Sequence, residues 1–269
     1  MKIMKVISGK VIWLLFVAIS LTSCSKDKEN CDPDDEESPC YAGVEFGNRL
    51  LMIEEKMNGK TELRFEYNDQ NQVILRHVHG IDGNLTSENF TYNGNKLTKM
   101  ERKFNGQLIM SEEYSYGTAN KPTTAVLKDA EGKINVNMIY TYSGNSVTET
   151  SFDTDGNQLG INTYTFDDKG NQLTRQITSG GNSMSETLSD YDDKPNRYTN
   201  YPWAWKVSSI NNEQSYLQSV QIPGGAVTTR NVRWEYKYNE AGYPSEAKVY
   251  DKESNTLVET RTYTYKKEN

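Results

Sequence analysis

The sequence predicts an all-β protein, an antiparallel meander of about 16–18 strands that closes into a barrel or roll. Three observations carry this prediction. A pair of aromatic residues flanking one other residue recurs at positions spaced 24 to 26 apart, turn signals such as Asn-Gly and Asp-Gly fall between the copies, and the residues between turns alternate apolar and polar. Asn-Gly and Asp-Gly supply the positive backbone dihedrals that tight hairpins require. Alternation with period two puts one face of a strand on a core and the other in water.

A leader precedes the repeat. Lys2, Lys5 and Lys10 are followed by an apolar run from Val11 to Ile19 and then by Leu21-Thr22-Ser23-Cys24. This order is that of a secretory signal peptide, 1–23, because the apolar run is about half of the roughly 20 residues a bilayer-spanning helix needs. Leu-Thr-Ser-Cys resembles the lipobox of bacterial lipoproteins. The resemblance implies cleavage before Cys24 and lipid on its thiol, whose acyl chains would anchor it at roughly 0.8 kcal/mol per buried methylene. Residues 24–40 carry Lys26, Asp27, Lys28 and Glu29, then Asp32, Asp34, Asp35, Glu36 and Glu37 around Pro33 and Pro39. Such a stretch has nothing to bury and reads as a solvated tether. A charged tract behind the lipidated cysteine is similar to the surface-export signal of Bacteroidota lipoproteins, which implies an outer-membrane protein facing the cell exterior.

Charge and cysteines narrow the partners. Removing the leader takes three lysines from the 30 basic residues and none of the 37 acids, leaving a net charge near −10. That disfavours nucleic acid and docking on anionic lipid through a basic face, so lipid provides the membrane contact. With Cys24 lipidated, Cys31 and Cys40 are an even pair in an oxidising compartment, where a disulfide is expected.

The body of the chain, 41–269, reads as a single repeat domain. The aromatic pairs are Phe65/Tyr67, Phe90/Tyr92, Tyr114/Tyr116, Tyr140/Tyr142 and Tyr164/Phe166; Tyr191 continues the series, and Tyr236/Tyr238 and Tyr263/Tyr265 complete it. Between them lie further turns at Asp82-Gly83, Asn105-Gly106, Glu131-Gly132, Asp155-Gly156 and Gly180-Gly181. One period therefore holds two strands and two turns. So many sequential strands in one open sheet would be unusual, and closure follows.

Thr163-Tyr164-Thr165-Phe166-Asp167-Asp168-Lys169-Gly170-Asn171-Gln172-Leu173 resembles the YD repeat of rearrangement-hotspot proteins, which implies a similar hairpin. Over nearly its whole length, with lipobox, acidic tether, aromatic hairpins and Tyr191-Asp192-Asp193-Lys194-Pro195-Asn196, the chain resembles uncharacterised Bacteroidota lipoproteins described as porin-like. This resemblance implies a many-stranded antiparallel barrel and no particular activity. A membrane-spanning wall is disfavoured, because Leu97–Phe104 puts Lys99, Glu101 and Lys103 on one face and Arg102 on the other, and neither face suits hydrocarbon.

The repeat breaks between Tyr191 and Tyr238, and the break contains Tyr201-Pro202-Trp203-Ala204-Trp205. Two readings stand. Tyr201, Trp203 and Trp205 are exposed and stack on sugar faces, or the rings plug one end of the barrel. His77 and His79 share a strand face but lack nearby cysteines, so a zinc site has little support. Asp153-Thr154-Asp155-Gly156-Asn157 has glycine where a hairpin turn needs it, not where an EF-hand calcium loop does. No nucleophile elbow, phosphate loop or dinucleotide fingerprint occurs, so no catalytic residue, cofactor or metal is assigned. The reading is a lipid-anchored, non-enzymatic module binding glycan or a surface protein. The alternatives are an accessory structural subunit of an outer-membrane complex and a carboxylate-dependent glycoside hydrolase, which needs two convergent acids in an open cleft.

Overall fold

The computed structural model describes residues 49–198, 200–207 and 209–268. The leader, the tether, Cys24, Cys31 and Cys40 lie outside the described residues. The strands are β1 (Leu50–Met57), β2 (Lys60–Tyr67), β3 (Val73–His79), β4 (Leu85–Asn93), β5 (Lys96–Phe104), β6 (Gln107–Tyr116), β7 (Pro122–Asp129) and β8 (Ile134–Ser143). They continue as β9 (Ser146–Phe152), β10 (Gln158–Phe166), β11 (Gln172–Ser179), β12 (Asn182–Ser189), β13 (Ser215–Gln221), β14 (Thr228–Tyr238), β15 (Pro244–Asp251) and β16 (Leu257–Lys267). Each pairs antiparallel with its sequence neighbours and β1 pairs with β16, which closes an all-β barrel with the lower strand count of the predicted range.

The turns form for the reasons their sequences suggest. Asn58-Gly59 and Asn105-Gly106 both take positive φ at both residues, 50° and 80° in the first and 46° and 85° in the second, as two-residue hairpins require. The longer turns are built by a side chain: Asp167 Oδ1 accepts the backbone N–H of Lys169 at 2.9 Å and of Asn171 at 2.8 Å. Asp153 does the same with Asp155 and Asn157, at 2.9 and 2.8 Å. The Asp153–Asn157 stretch is thus a hairpin turn whose carboxylate is occupied by its own backbone.

In a meander the turns divide between two ends. Those that follow the aromatic pairs lie at what we call the upper end, together with Leu50 and the close of β16; the rest lie at the lower end. The roughly 25-residue period gains a mechanical meaning here. In five units the second aromatic donates its hydroxyl to a backbone carbonyl at the start of the preceding strand: Tyr67 to Met52 (2.7 Å), Tyr92 to Val73 (2.9 Å), Tyr116 to Leu97 (2.8 Å), Tyr142 to Pro122 (2.7 Å) and Tyr265 to Pro244 (2.8 Å). Tyr191 makes the same bond to Gln172, Tyr238 donates to the Asp192 carboxylate instead, and Phe166, without a hydroxyl, keeps only the packing. A β-bulge accompanies these positions, with register shifts at Glu66/Tyr67, Thr91/Tyr92, Ser115/Tyr116, Thr165/Phe166 and Lys237/Tyr238. A bulge leaves a carbonyl without its ladder partner and increases local twist, so the tyrosine satisfies the backbone at the point where the sheet is forced to curl.

Parity assigns the two faces of the wall. Phe65, Phe90, Met100, Tyr114, Met138, Tyr140, Ala247 and Tyr263 form one buried inward cluster. The residues between them face out, as in the Lys128–Glu113 pair at 2.6 Å and the Lys237–Glu246 pair at 2.9 Å. Aromatic rings inside and charges outside invert the distribution of a membrane-spanning barrel.

Burial pushes the Tyr116 phenol up to about 12, so it remains a donor through neutral pH. Tyr116→Phe should cost about 1 kcal/mol, the net worth of one hydrogen bond, read as a lower urea midpoint at unchanged slope. An unchanged midpoint would show that the bond to Leu97 does not hold the bulge.

Candidate functional site

A ring of sixteen strands is wide enough to hold an aqueous channel, but this one is occupied. After β12 the chain turns inward at the upper end and returns to start β13. Buried asparagines close the neck of this loop: Asn211 N–H donates to Asn171 Oδ1 at 2.8 Å, Asn196 Nδ2 to Asn211 O at 2.7 Å, and Asn212 Nδ2 to Pro195 O at 2.9 Å. Each amide pairs with backbone or another amide, so burying them leaves no orphaned group at the neck.

Beyond the neck the loop makes a circuit of the inner wall. Arg197 pairs with Glu213 at 2.8 Å, both buried, and donates to Tyr236 OH at 3.2 Å. Tyr198 OH donates to Glu55 on β1 at 2.6 Å, and Tyr201 OH meets Arg76 on β3. Trp203, 8% exposed, packs edge-on to Phe90 at 5.2 Å and donates Nε1 to Tyr114 OH at 2.6 Å. Trp205 lies edge-on to Tyr114 and Tyr140, at 5.3 and 6.3 Å. With Phe65 6.4 Å from the Tyr198 ring, the first aromatics of four different repeats receive the rings of one loop. Stacking of Tyr201, Trp203 or Trp205 on a sugar at the outer surface would require this segment to leave the barrel.

The circuit ends at an ion pair. Lys206 Nζ lies 2.5 Å from Glu149 Oε2 on β9 and 3.4 Å from Tyr140 OH, and Asn162 donates to the other Glu149 oxygen at 2.6 Å. Burial pushes Glu149 up, but the Lys206 ammonium more than offsets this and holds it below the ordinary carboxylate range. Glu112 on β6, buried nearby and accepting from Tyr140 OH at 3.3 Å, has no ion-pair partner among the described residues; burial holds it above the ordinary carboxylate range.

Below the plug the lumen is polar and wet. Arg102, Arg175 and Arg230 point inward, yet their side chains are 35%, 32% and 44% exposed. Glu186 lies 3.5 Å from Arg175 and accepts from Tyr216 OH at 2.8 Å and Gln218 Nε2 at 3.0 Å. Arg261 pairs with Glu55 and Glu62, Arg76 and Arg102 with Glu88, and Arg230 with Glu259. Three inward methionines, Met57, Met110 and Met184, each accept from a neighbouring polar head at 3.6 Å. Among the described residues every inward glutamate has a cationic, amide or phenol partner.

The sequence reading named the loop's rings but not their partners. Glu149, Lys206, Arg197, Glu213 and Glu55 escaped it. A signal existed for the wall residues: Glu149 stands two positions from Val147 and so shares its inward parity. For Lys206 and Arg197, in an irregular loop, no such period applies. His77 and His79 face outward with ring centroids 6.4 Å apart, and His77 Nδ1 lies 2.9 Å from Ser87 Oγ.

Comparison with known proteins identifies the fold. No protein family and no curated protein matches the chain. Among solved structures it is similar to a porin-like protein from Bacteroides uniformis, at TM-score 0.50 and 11% identity, over 81% of this chain and 95% of that one. The two share an all-β barrel architecture. A TcdB2-TccC3-Cdc42 complex also matches, at TM-score 0.30 and 13% identity over 72% of this chain and 10% of that one, a likeness that carries no inference.

Lys206→Met should cost about 3–5 kcal/mol, because it strands a buried carboxylate, and adding Glu149→Gln should recover most of the loss. Because the Glu149 carboxyl titrates lower when folded, the pair's contribution is present above its unfolded value of 4.5 and is lost as pH falls through the folded value. Urea denaturation of both variants at neutral pH and in mild acid checks this. Equal losses in the single and double variants would mean that the pair is not coupled.

Proposed function

We propose that this chain is a lipid-anchored, non-enzymatic lipoprotein of the outer membrane of a Bacteroidota cell, facing the exterior, and that it works as a glycan-binding module whose ligand enters the lower lumen. The observation that carries the reading is the lower lumen itself. It is an inward-facing, water-reached wall of planar polar groups, Arg102, Arg175, Arg230, Glu186 and Gln218, beside the Tyr216 phenol. Planar guanidinium, carboxylate and amide groups form paired hydrogen bonds to vicinal hydroxyls, and rings and thioethers cover the apolar faces of a sugar.

Other features support the setting. The outward charges on β1, β2, β5 to β7, β14 and β15 suit water and not hydrocarbon, so the wall does not serve as a bilayer-spanning surface. The plug at the upper end makes the lumen a blind compartment, which suits holding a ligand more than conducting one. The lipobox at Cys24 provides attachment without a spanning wall. Carboxylate-dependent hydrolysis is less well supported, because it needs an acid and a free carboxylate flanking an open cleft, and the lumen acids are engaged with arginines, lysine or phenols.

A glycan array probed with the purified chain, followed by calorimetry on any hit, tests the reading. Arg175→Ala and Tyr216→Ala should each weaken binding at least tenfold, about 1.4 kcal/mol, at unchanged fold. Trp203→Ala should instead lower stability by about 3–5 kcal/mol through the plug. Absence of binding to any glycan, or binding indifferent to the lumen variants, would sink it.

A further inference from the structure

The ion pairs of the lower lumen are not symmetric in their exposure. Arg102 is 35% exposed where its partner Glu88 is 2%, Arg175 is 32% where Glu186 is 13%, and Arg230 is 44% where Glu259 is 15%. Glu62, at 28% beside Arg261 at 14%, reverses the order, and burial pushes its carboxyl above the ordinary range. Cations and anions are matched along this wall, but in these three pairs the group that water reaches first is the guanidinium.

Nor are these three arginines fully engaged by their partners. Each covered carboxylate has a second donor: Glu88 pairs with Arg76 at 2.8 Å, Glu259 with Arg261 at 2.9 Å, and Glu186 accepts from Tyr216 OH and Gln218 Nε2. A guanidinium carries five N–H donors in a rigid fork, more than one shared carboxylate can take up. Arg175 is held loosely, with Nη1 3.5 Å from Glu186, and its Nε–H has no acceptor among the described residues. The three stand on β5, β11 and β14, which lie six, three and seven strands apart around the ring, so they face the axis from three directions.

We infer that the ligand of the lower lumen is an acidic oligosaccharide, whose carboxylate or sulfate groups are met by Arg102, Arg175 and Arg230. The inference rests on the reading of this lumen as a glycan site and names the class of glycan it selects. A guanidinium offers an oxyanion two parallel N–H···O bonds, each stronger than a bond to a neutral hydroxyl. The carboxylates that would repel such a ligand are covered and already satisfied. Low-dielectric walls around a blind compartment strengthen the attraction further. Because the arginines converge from three directions, a chain charged on several of its units engages more than one of them at once, and a single acidic sugar does not.

The test is calorimetric titration of the detergent-solubilised full chain with two matched pairs of probes, beside a glycan array. One pair is an oligogalacturonate and its carboxyl-reduced, neutral counterpart; the other is dextran sulfate and dextran of the same length. In at least one pair the charged member should bind about tenfold tighter than the neutral one and lose most of that advantage in high salt, and the pair that responds tells carboxylate from sulfate. Arg102→Gln, Arg175→Gln and Arg230→Gln remove the charge but keep an amide donor, and each leaves the neighbouring carboxylate its second partner. Each should weaken the charged probe about fivefold or more at an unchanged urea midpoint. Neutral members that bind as tightly as charged ones, affinities indifferent to salt and to the glutamine variants, or an array that retains neutral glycans alone would overturn the acidic assignment and leave the glycan reading standing. An array that retains no glycan, with no heat from any probe, would overturn both.

Discussion

A closed ring of sixteen strands encloses more space than its own inward side chains can fill, and the rest of the structure depends on how that space is managed. In barrels of this size the usual outcome is water along the axis. Here the loop between β12 and β13 spends some two dozen residues on the upper half, and its indoles and phenols meet the inward rings of the repeat. The neck asparagines, the Arg197–Glu213 pair and the Lys206–Glu149 pair fix the two ends of that loop, so its rings are positioned from both sides. The lower half is left to water and to ion pairs that no loop covers.

The buried charges that anchor the loop are tolerated at depth because each is matched by an opposite one or by a phenol. A buried ion pair contributes little against an apolar substitute of the same shape, but it makes wrong packing expensive, since a displaced partner strands a charge. The loop can insert in one register only: shifting it by one residue would separate Lys206 from Glu149, Tyr198 from Glu55 and Trp203 from Tyr114 together. The interior charges therefore act on uniqueness more than on total stability.

The wall was legible in the sequence because its two signals are local. Asn-Gly and Asp-Gly turns and the aromatic spacing depend on neighbours within a few residues, and closure follows from strand number. The sequence showed where tyrosines recur but not why. The bonds that most of these hydroxyls make to a carbonyl 15 to 21 residues earlier exist only once the strands are side by side. The Trp203 region was recognised as a break, with two fates open to it. Which fate prevails depends on contacts as distant as Tyr198 with Glu55, 143 residues apart, and no local pattern encodes such a pairing. The polar lower lumen was less legible: parity alone places Glu186 and Arg175 on the inner face, but the ion pairs and phenol bonds that engage them there link residues on different strands.

Closure of the ring by β1 and β16 bears on how the barrel would carry load. The chain enters the wall at Leu50, at the plugged end, and β1 is bonded along its length to β16 on one side and to β2 on the other. A pull transmitted through the amino-terminal segment runs parallel to β1 and strains both ladders in shear, so many hydrogen bonds must fail at once instead of unzipping one at a time. The same geometry directs the tension to the end closed by the loop and leaves the polar mouth at the opposite pole, away from the point where the chain enters the wall.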